Sequence, residues 1–291
     1  MHFWAEMRKK GGGFMSLLRR MLPAKFVHRA GIFLRHAPGD FIAFVAGKRR
    51  DPLIPPRRLI FVGDRDFKAV GDEFLGHFRN LGGLGPGDCV LDIGCGIGRM
   101  ARPLAPFLGP HGRYEGFDIA ATGIDWCNRN FTPRYPNFRF QISDVYNKLY
   151  NPRGAVAASD YVFPYPDATF DFAFATSVFT HMFPADITRY VKETRRVLKP
   201  GGRALLTFFV WDDESARLVA EGRSAMPFVP YEDFWTWHPE VPEDAVAVAE
   251  PFITRLAEES GLRLEGIHRG TWCGRDEGLS FQDLVLFSRP A

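Results

Sequence analysis

Val90-Leu91-Asp92-Ile93-Gly94-Cys95-Gly96-Ile97-Gly98-Arg99-Met100 is the stretch on which the reading of this chain turns. It opens with a short apolar run interrupted only by Asp92, the pattern of a strand buried on both faces. Glycines follow at alternate positions, 94, 96 and 98, and a helical pattern begins at Arg99. A glycine turn between a buried strand and a helix lets the backbone bend tightly and lets a ligand approach the main chain. A dinucleotide site would space its glycines as G-x-G-x-x-G, but Arg99 stands where the third would be. Asp92 would also set a negative charge beside any pyrophosphate. The loop therefore suits a ligand with a cationic group better than a nicotinamide dinucleotide. Alone it is a weak signal, and its neighbours decide.

Outward from this loop, short apolar runs alternate with helical spacing. Strands are expected over 90–93, 114–117, 138–142, 170–175 and 204–210, and helices over 99–108, 123–131 and 187–198. A helix over 252–260, ended by Gly261, leads to strands at 262–267 and 281–287. A further helix, 67–81, precedes the glycine loop and stops at Gly82-Gly83. Such alternation predicts a doubly wound α/β domain with a mostly parallel sheet and helices on both faces. One stretch breaks the rhythm. Residues 211–250 hold Trp211, Phe228, Tyr231, Phe234, Trp235 and Trp237 among Pro227, Pro230, Pro239 and Pro242. It is expected to be an irregular aromatic insertion, either a peripheral patch with short helices or a lid over the carboxyl ends of the strands.

Those strand ends carry the chemistry. The second strand ends in Gly116-Phe117-Asp118, where an acid can accept from both hydroxyls of a ribose. The third ends in Gln141-Ile142-Ser143-Asp144-Val145, with an acid placed for an adenine amino group. The fourth runs into Thr176-Ser177-Val178-Phe179-Thr180-His181, and Leu198-Lys199-Pro200-Gly201-Gly202 introduces the fifth. Singly, Asp118 and Asp144 read as turn residues. All together, in this order, they do not.

The ordered set resembles the class I S-adenosylmethionine-dependent methyltransferases over about residues 81–290. The resemblance implies a Rossmann-like sheet of seven strands with the last antiparallel, and S-adenosylmethionine as cofactor. It implies that the loop from Asp92 through Gly94, Cys95, Gly96 and Gly98 wraps the methionine part and that Asp118, with Ile119 beside it, holds the ribose. It further implies that Ser143, Asp144 and the backbone at Val145 meet the adenine, and that Thr176 walls the methionine part. The Lys199–Gly202 turn is structural by the same likeness.

The remaining features bear on acceptor and location. Within 291 residues, 46% apolar and 24% charged, a sizeable core is available and a disordered or disulfide-scaffold chain is excluded. Cys89, Cys95, Cys127 and Cys273 form no C-x-x-C pair and there is no metal-ligand cluster, so no metal is expected and a reducing cytoplasm is. Residues 1–58 hold 13 Lys/Arg against 3 acids, while 59–291 hold 24 against 31. A basic arm with a Pro-rich linker at 51–56 thus precedes a mildly acidic domain, which argues against a nucleic-acid partner. No apolar run approaches the roughly 20 residues of a membrane span, and no secretory cleavage pattern follows one. Phe14, Leu17, Leu18, Met21 and Leu22 beside Arg8-Lys9-Lys10 read either as a helix docking on the inner face of an anionic membrane or as a helical cap.

The acceptor is expected to be a small molecule, a sugar or a lipid-linked group, methylated at oxygen rather than nitrogen. His181 is the candidate general base, since histidine titrates near neutrality; the other reading is a histidine that packs or caps a helix start. Trp235, Trp237, Trp272 and Arg275 are expected to line the acceptor pocket, with Arg275 meeting a carboxylate or phosphate. Alternatively Trp272 covers the sheet edge and Arg275 faces water. The rival functions are methylation of tRNA or protein, and a non-catalytic module that binds the cofactor. Oligomeric state is not legible.

Overall fold

The computed structural model describes residues 51–61, 65–148 and 150–291. The chain divides into two units, Met1–Asp64 and Arg65–Ala291. Of the first, the described part is a short stretch with a turn closed by the Ile54 amide on the Asp51 carbonyl at 3.0 Å and one 3-10 turn, Arg57–Leu59. The basic arm over 1–50, and both readings of it, lie outside the described residues. Among the described residues no helix is long and apolar enough to cross a membrane.

The second unit opens with α1 (Phe67–Asn80), whose first turn is capped by Asp66 Oδ1 accepting the Ala69 N–H at 2.7 Å. Then come β1 (Cys89–Ile93), α2 (Ala101–Phe107), β2 (Arg113–Asp118), α3 (Ala121–Asn130), β3 (Phe138–Ile142), β4 (Phe170–Ala175), α4 (Pro184–Val197) and β5 (Leu198–Phe208). After the insertion, α6 (Glu250–Ser260) ends on Gly261 at φ 67, and β10 (Arg263–His268) and β11 (Asp283–Ser288) close the chain. α4 shows why such segments are helical: Pro184 starts it, Asp186 sits in its first turn, and Ile187, Tyr190, Val191, Thr194 and Val197 bury one stripe.

The seven strands lie in the order β10-β11-β5-β4-β1-β2-β3. All neighbours among β1 to β5 are parallel, and β11 runs antiparallel to both β5 and β10. The central strands are apolar on both faces because helices cover both; β4 buries Phe170, Phe172, Ala173, Phe174 and Ala175. The chain moves from β1 outward to β2 and β3, then returns to place β4 on the other side of β1. That reversal opens a crevice at the carboxyl ends of β1 and β4, the usual ligand position in such sheets.

The insertion departs from the irregular structure expected of it. It contains α5 (Asp213–Ala220) and a second sheet of β6 (Val210–Trp211), β7 (Val229–Tyr231), β8 (Phe234–Thr236) and β9 (Val246–Ala249), ordered β6-β9-β8-β7. Val, Thr and aromatic residues favour strands, and the prolines fall where strands tolerate them. Pro230 is in the edge strand β7, and Pro242 starts a 3-10 turn, Pro242–Asp244. The small sheet has two different faces. Phe234, Val246 and Val248 join the main core, whereas Trp235 and Ala247 face a second cluster with Phe209, Leu218, Phe228, Trp272 and Cys273.

Candidate active site

The glycine loop lies against the end of β2. The Gly94 and Cys95 amides both donate to the Phe117 carbonyl, at 2.9 and 3.0 Å, and the Gly96 amide donates to Asp118 Oδ2 at 2.8 Å. Gly94 (φ 79) and Gly98 (φ 81) adopt left-handed backbone that side chains rarely take. A Cβ on Gly94 would lie 2.4 Å from Val178 Cγ2, and one on Gly98 would lie 2.8 Å from the Phe131 ring. Two constraints, conformation and space, thus demand glycine at both ends of the loop.

Asp118, half-buried at the tip of β2, uses its other oxygen, Oδ1, to accept the Ala120 amide at 2.7 Å. Burial raises its pKa against the pull of the Ala120, Gly96 and Ile119 amides. Each carboxylate oxygen keeps lone-pair capacity for a hydroxyl. Ser143 is buried, its amide donating to the Asp118 carbonyl at 2.9 Å, and its hydroxyl shares a hydrogen bond with the Tyr161 phenol. Asp144 is exposed just beyond β3, and Val145 is buried and bridged to Val156. Thr176 is half-buried directly after β4.

Asp92 is 1% exposed, and its Oδ2 accepts the Tyr114 phenol at 2.6 Å while its Oδ1 has no partner. Burial pushes its pKa up to about 8, with the Tyr114 hydrogen bond pulling down and the Asp118 charge pushing up. A buried carboxylate oxygen without a donor is costly, and a cationic ligand at the loop would supply the missing charge. Two desolvated acids beside a glycine cradle fit the cofactor that the ordered motifs imply. They do not fit a pyrophosphate.

Across the crevice, β4 leaves the sheet through Ser177, a non-glycine residue at φ 56. Its amide donates to Thr207 Oγ1 at 2.8 Å and its hydroxyl donates to Gln282 Oε1 at 3.1 Å, which hold the strained bend. The bend brings Val178 against Gly94 and leads into the 3-10 turn Phe179–His181. Sequence reasoning missed Ser177, because nothing local marks a serine as left-handed. His181 is half-buried with Nδ1 3.2 Å from the Glu243 carbonyl of the insertion. Burial lowers its pKa, opposed by that carbonyl and by the charge of Asp244.

The four residues expected to line the acceptor pocket are all engaged by partners within the protein. Trp272 is 1% exposed and donates through Nε1 to Asp283 Oδ2 at 2.7 Å. Arg275 is buried too, with Nε on Glu214 Oε2 (2.8 Å), Nη2 on both Asp212 oxygens (2.9 Å) and Nη1 on the Gly270 carbonyl (3.3 Å). Its fork is committed inside the protein, so it neither anchors a substrate anion nor faces water. Trp235 stacks on Trp211, centroids 4.8 Å apart, and Trp237 stacks on His238 at 4.3 Å. These residues assemble the insertion. Asp283, unremarked in the sequence, is their hub: fully buried, it also accepts the Val210 and Gly270 amides, each at 2.7 Å. Just after His181 in the chain, Phe183, 37% exposed, packs on Phe234 of the insertion, and Tyr231 packs on Phe234 in turn. Among the described residues no cluster of His, Cys, Asp or Glu is arranged to hold a metal ion.

Residues 90–202 match the family model described as a methyltransferase domain. The 27-O-demethylrifamycin SV methyltransferase of Amycolatopsis mediterranei is 29% identical over 198 residues, 63% of this chain and 66% of that one. The 2-methyl-6-phytyl-1,4-hydroquinone methyltransferase of Synechocystis is 30% identical over 158 residues, 53% of this chain and 43% of the relative. The chain thus spans between under half and about two thirds of these relatives' lengths. The crystal structure of the PH0226 protein from Pyrococcus horikoshii superposes with a TM-score of 0.54 at 16% identity, covering 79% of this chain and 94% of that one, and so shares the fold. The family match over residues 90–202, the named relatives and the sheet order together support a class I S-adenosylmethionine-dependent methyltransferase domain.

Proposed function

We propose that the protein transfers a methyl group from S-adenosylmethionine to a hydroxyl of a small organic acceptor, a sugar and a lipid-linked group included. The reading is carried by His181. It closes the short turn that follows β4 and Val178, the residue against Gly94 of the glycine loop, and its Nδ1 is engaged by a carbonyl. Two relatives are named for a rifamycin and a hydroquinone acceptor, which supports a small molecule over RNA or protein. The acidic balance of residues 59–291 supports the same choice.

The cofactor supplies an electrophilic methyl on a sulfonium, so the protein's main task is alignment, which can lower a barrier by about 7–11 kcal/mol. In this reading Asp118 holds the ribose hydroxyls, Asp144 and the Val145 main chain hold the adenine, and Thr176 with the loop confines the methionine part. Asp92 answers its positive charge. His181, kept neutral near pH 7 by burial, takes the acceptor's proton as the oxygen becomes bonded to carbon. Phe183 and Tyr231 offer an apolar wall beside it. An amine reacts as its free base and has no need of such a residue, which favours oxygen.

Incubation with radiolabelled cofactor and fractionated cell extract tests the reading. Label is expected in a small-molecule or lipid fraction, and His181→Ala should lose about a hundred- to ten-thousand-fold in rate with cofactor affinity unchanged. Label confined to RNA or protein would overturn the acceptor class. Tight cofactor binding with no labelled product in any fraction would favour the non-catalytic module. For the basic arm we propose contact with anionic lipid on the cytoplasmic side. Full-length protein should then pellet with anionic but not neutral vesicles, less so in high salt or without residues 1–50.

A further inference from the structure

The insertion meets the candidate base at the turn Pro242–Asp244, and that turn is braced. Thr236 Oγ1 donates to the Pro242 carbonyl at 2.9 Å, the Val241 amide to the His238 carbonyl at 2.9 Å, and the Asp244 amide to the Val241 carbonyl at 2.9 Å. On the outer side the Asp244 carboxylate pairs with His238 Nδ1 at 2.7 Å. On the inner side the Glu243 carbonyl meets His181 Nδ1 at 3.2 Å. A side chain on β8 and a histidine beyond it thus fix where the turn presents its carbonyls.

We propose that the Pro242–Asp244 turn is the positioning element of His181: the Glu243 carbonyl fixes the ring as its Nδ1–H tautomer, leaving the Nε2 lone pair for the acceptor's proton, and the Asp244 carboxylate supports the imidazolium that results. The inference rests on the reading of His181 as the base. Its first half follows from hydrogen-bond chemistry. A carbonyl oxygen only accepts, so the ring nitrogen facing it carries the proton, and a neutral imidazole then has its lone pair on the other nitrogen. Its second half is electrostatic. Asp244 is the acid whose charge favours the protonated ring, against the burial that disfavours it.

The groups around the ring set how far this goes. The insertion contributes Asp244, with His238 bonded behind it. The loop after β3 contributes Tyr150, whose phenol feels the charges of both Asp244 and Asp118 and so lies within electrostatic range of base turn and ribose acid alike. Because the turn belongs to the element that supplies Phe234 and Tyr231, the acceptor wall and the tautomer of the base are set by the same piece of chain.

Nitrogen-15 NMR of the full-length protein, labelled at histidine, reads both halves without an acceptor. His181 is expected as the Nδ1–H tautomer at neutral pH. Asp244→Asn keeps a partner for His238 but removes the charge, and should lower the His181 titration midpoint by about one pH unit with the tautomer retained. Thr236→Val, which releases the brace on Pro242, should let the Nε2–H tautomer appear; an unchanged fold is checked by circular dichroism and melting. A wild-type ring with its proton on Nε2, or an Asp244→Asn midpoint equal to wild type, overturns the proposal. The NMR result is independent of turnover. Should it hold while His181→Ala retains full rate, the base reading has failed and the turn is a packing contact, so the two failures are told apart.

Discussion

Asp92 is expected to link cofactor binding to pH, and the size of the effect can be worked from its surroundings. The carboxylate is 1% exposed, Oδ1 lacks a partner, and burial holds its pKa at about 8. If the ionised form answers the ammonium of the cofactor, binding below pH 8 must expel a proton from Asp92. Each unit below the pKa then costs about 1.4 kcal/mol, a factor of roughly ten in affinity. Calorimetric titration with S-adenosylhomocysteine from about pH 6 to about pH 8 should show affinity rising by up to about a hundredfold. The measured heat should vary with the ionisation enthalpy of the buffer, approaching one proton released per site at the acid end. Asp92→Asn should bind weakly throughout and show no slope. Stability must move the other way. The folded pKa stands above the ordinary 3.8, so folding favours the neutral form; wild type is most stable near the lower value and loses stability as pH rises from there to about 8. Asp92→Asn, neutral throughout, should melt above wild type at the alkaline end and not at the acid end. An affinity flat across this range, with no proton release and an Asn variant that binds normally, would refute the reasoning.

Asp118→Ala removes the acceptor for the Gly96 and Ala120 amides and, in the proposed reading, for the ribose, and should weaken S-adenosylhomocysteine binding by about 1.5–3 kcal/mol in the same calorimeter. Arg275→Lys should lower the melting temperature, since a lysine cannot span Asp212 and Glu214 in fork geometry, while cofactor affinity stays put; a changed acceptor preference at unchanged stability would restore Arg275 to the pocket. Asp283→Ala strands the Val210 and Gly270 amides and the Trp272 indole, each stranded buried donor costing about 1–3 kcal/mol, so urea unfolding should show a loss of at least about 3 kcal/mol.

What the sequence determined by itself was whatever neighbouring residues dictate to one another. A buried run followed by alternate glycines specifies strand, turn and helix, and the order of such units specifies a parallel sheet whose strand tips carry Asp92, Asp118 and Asp144. The motif also marked His181 as a candidate, because its distance from the end of β4 is a matter of a few residues. Direction of side chains across distant elements was not so encoded. Whether Trp235 faces the crevice or a second core depends on which face of β8 meets the main sheet, and Phe234 took that face. Arg275 looked like a free cation because its partners Asp212 and Glu214 lie 63 and 61 residues away, and Trp272 looked available because Asp283 gave no local sign of being a hub. The partner of the His181 ring, the Glu243 carbonyl, likewise stands 62 residues on. The physical reason is common to all of them: strand and turn formation is driven by short-range sterics and periodicity, but the partner that satisfies a buried polar group is chosen by the packing of whole elements, and only the folded chain makes that choice.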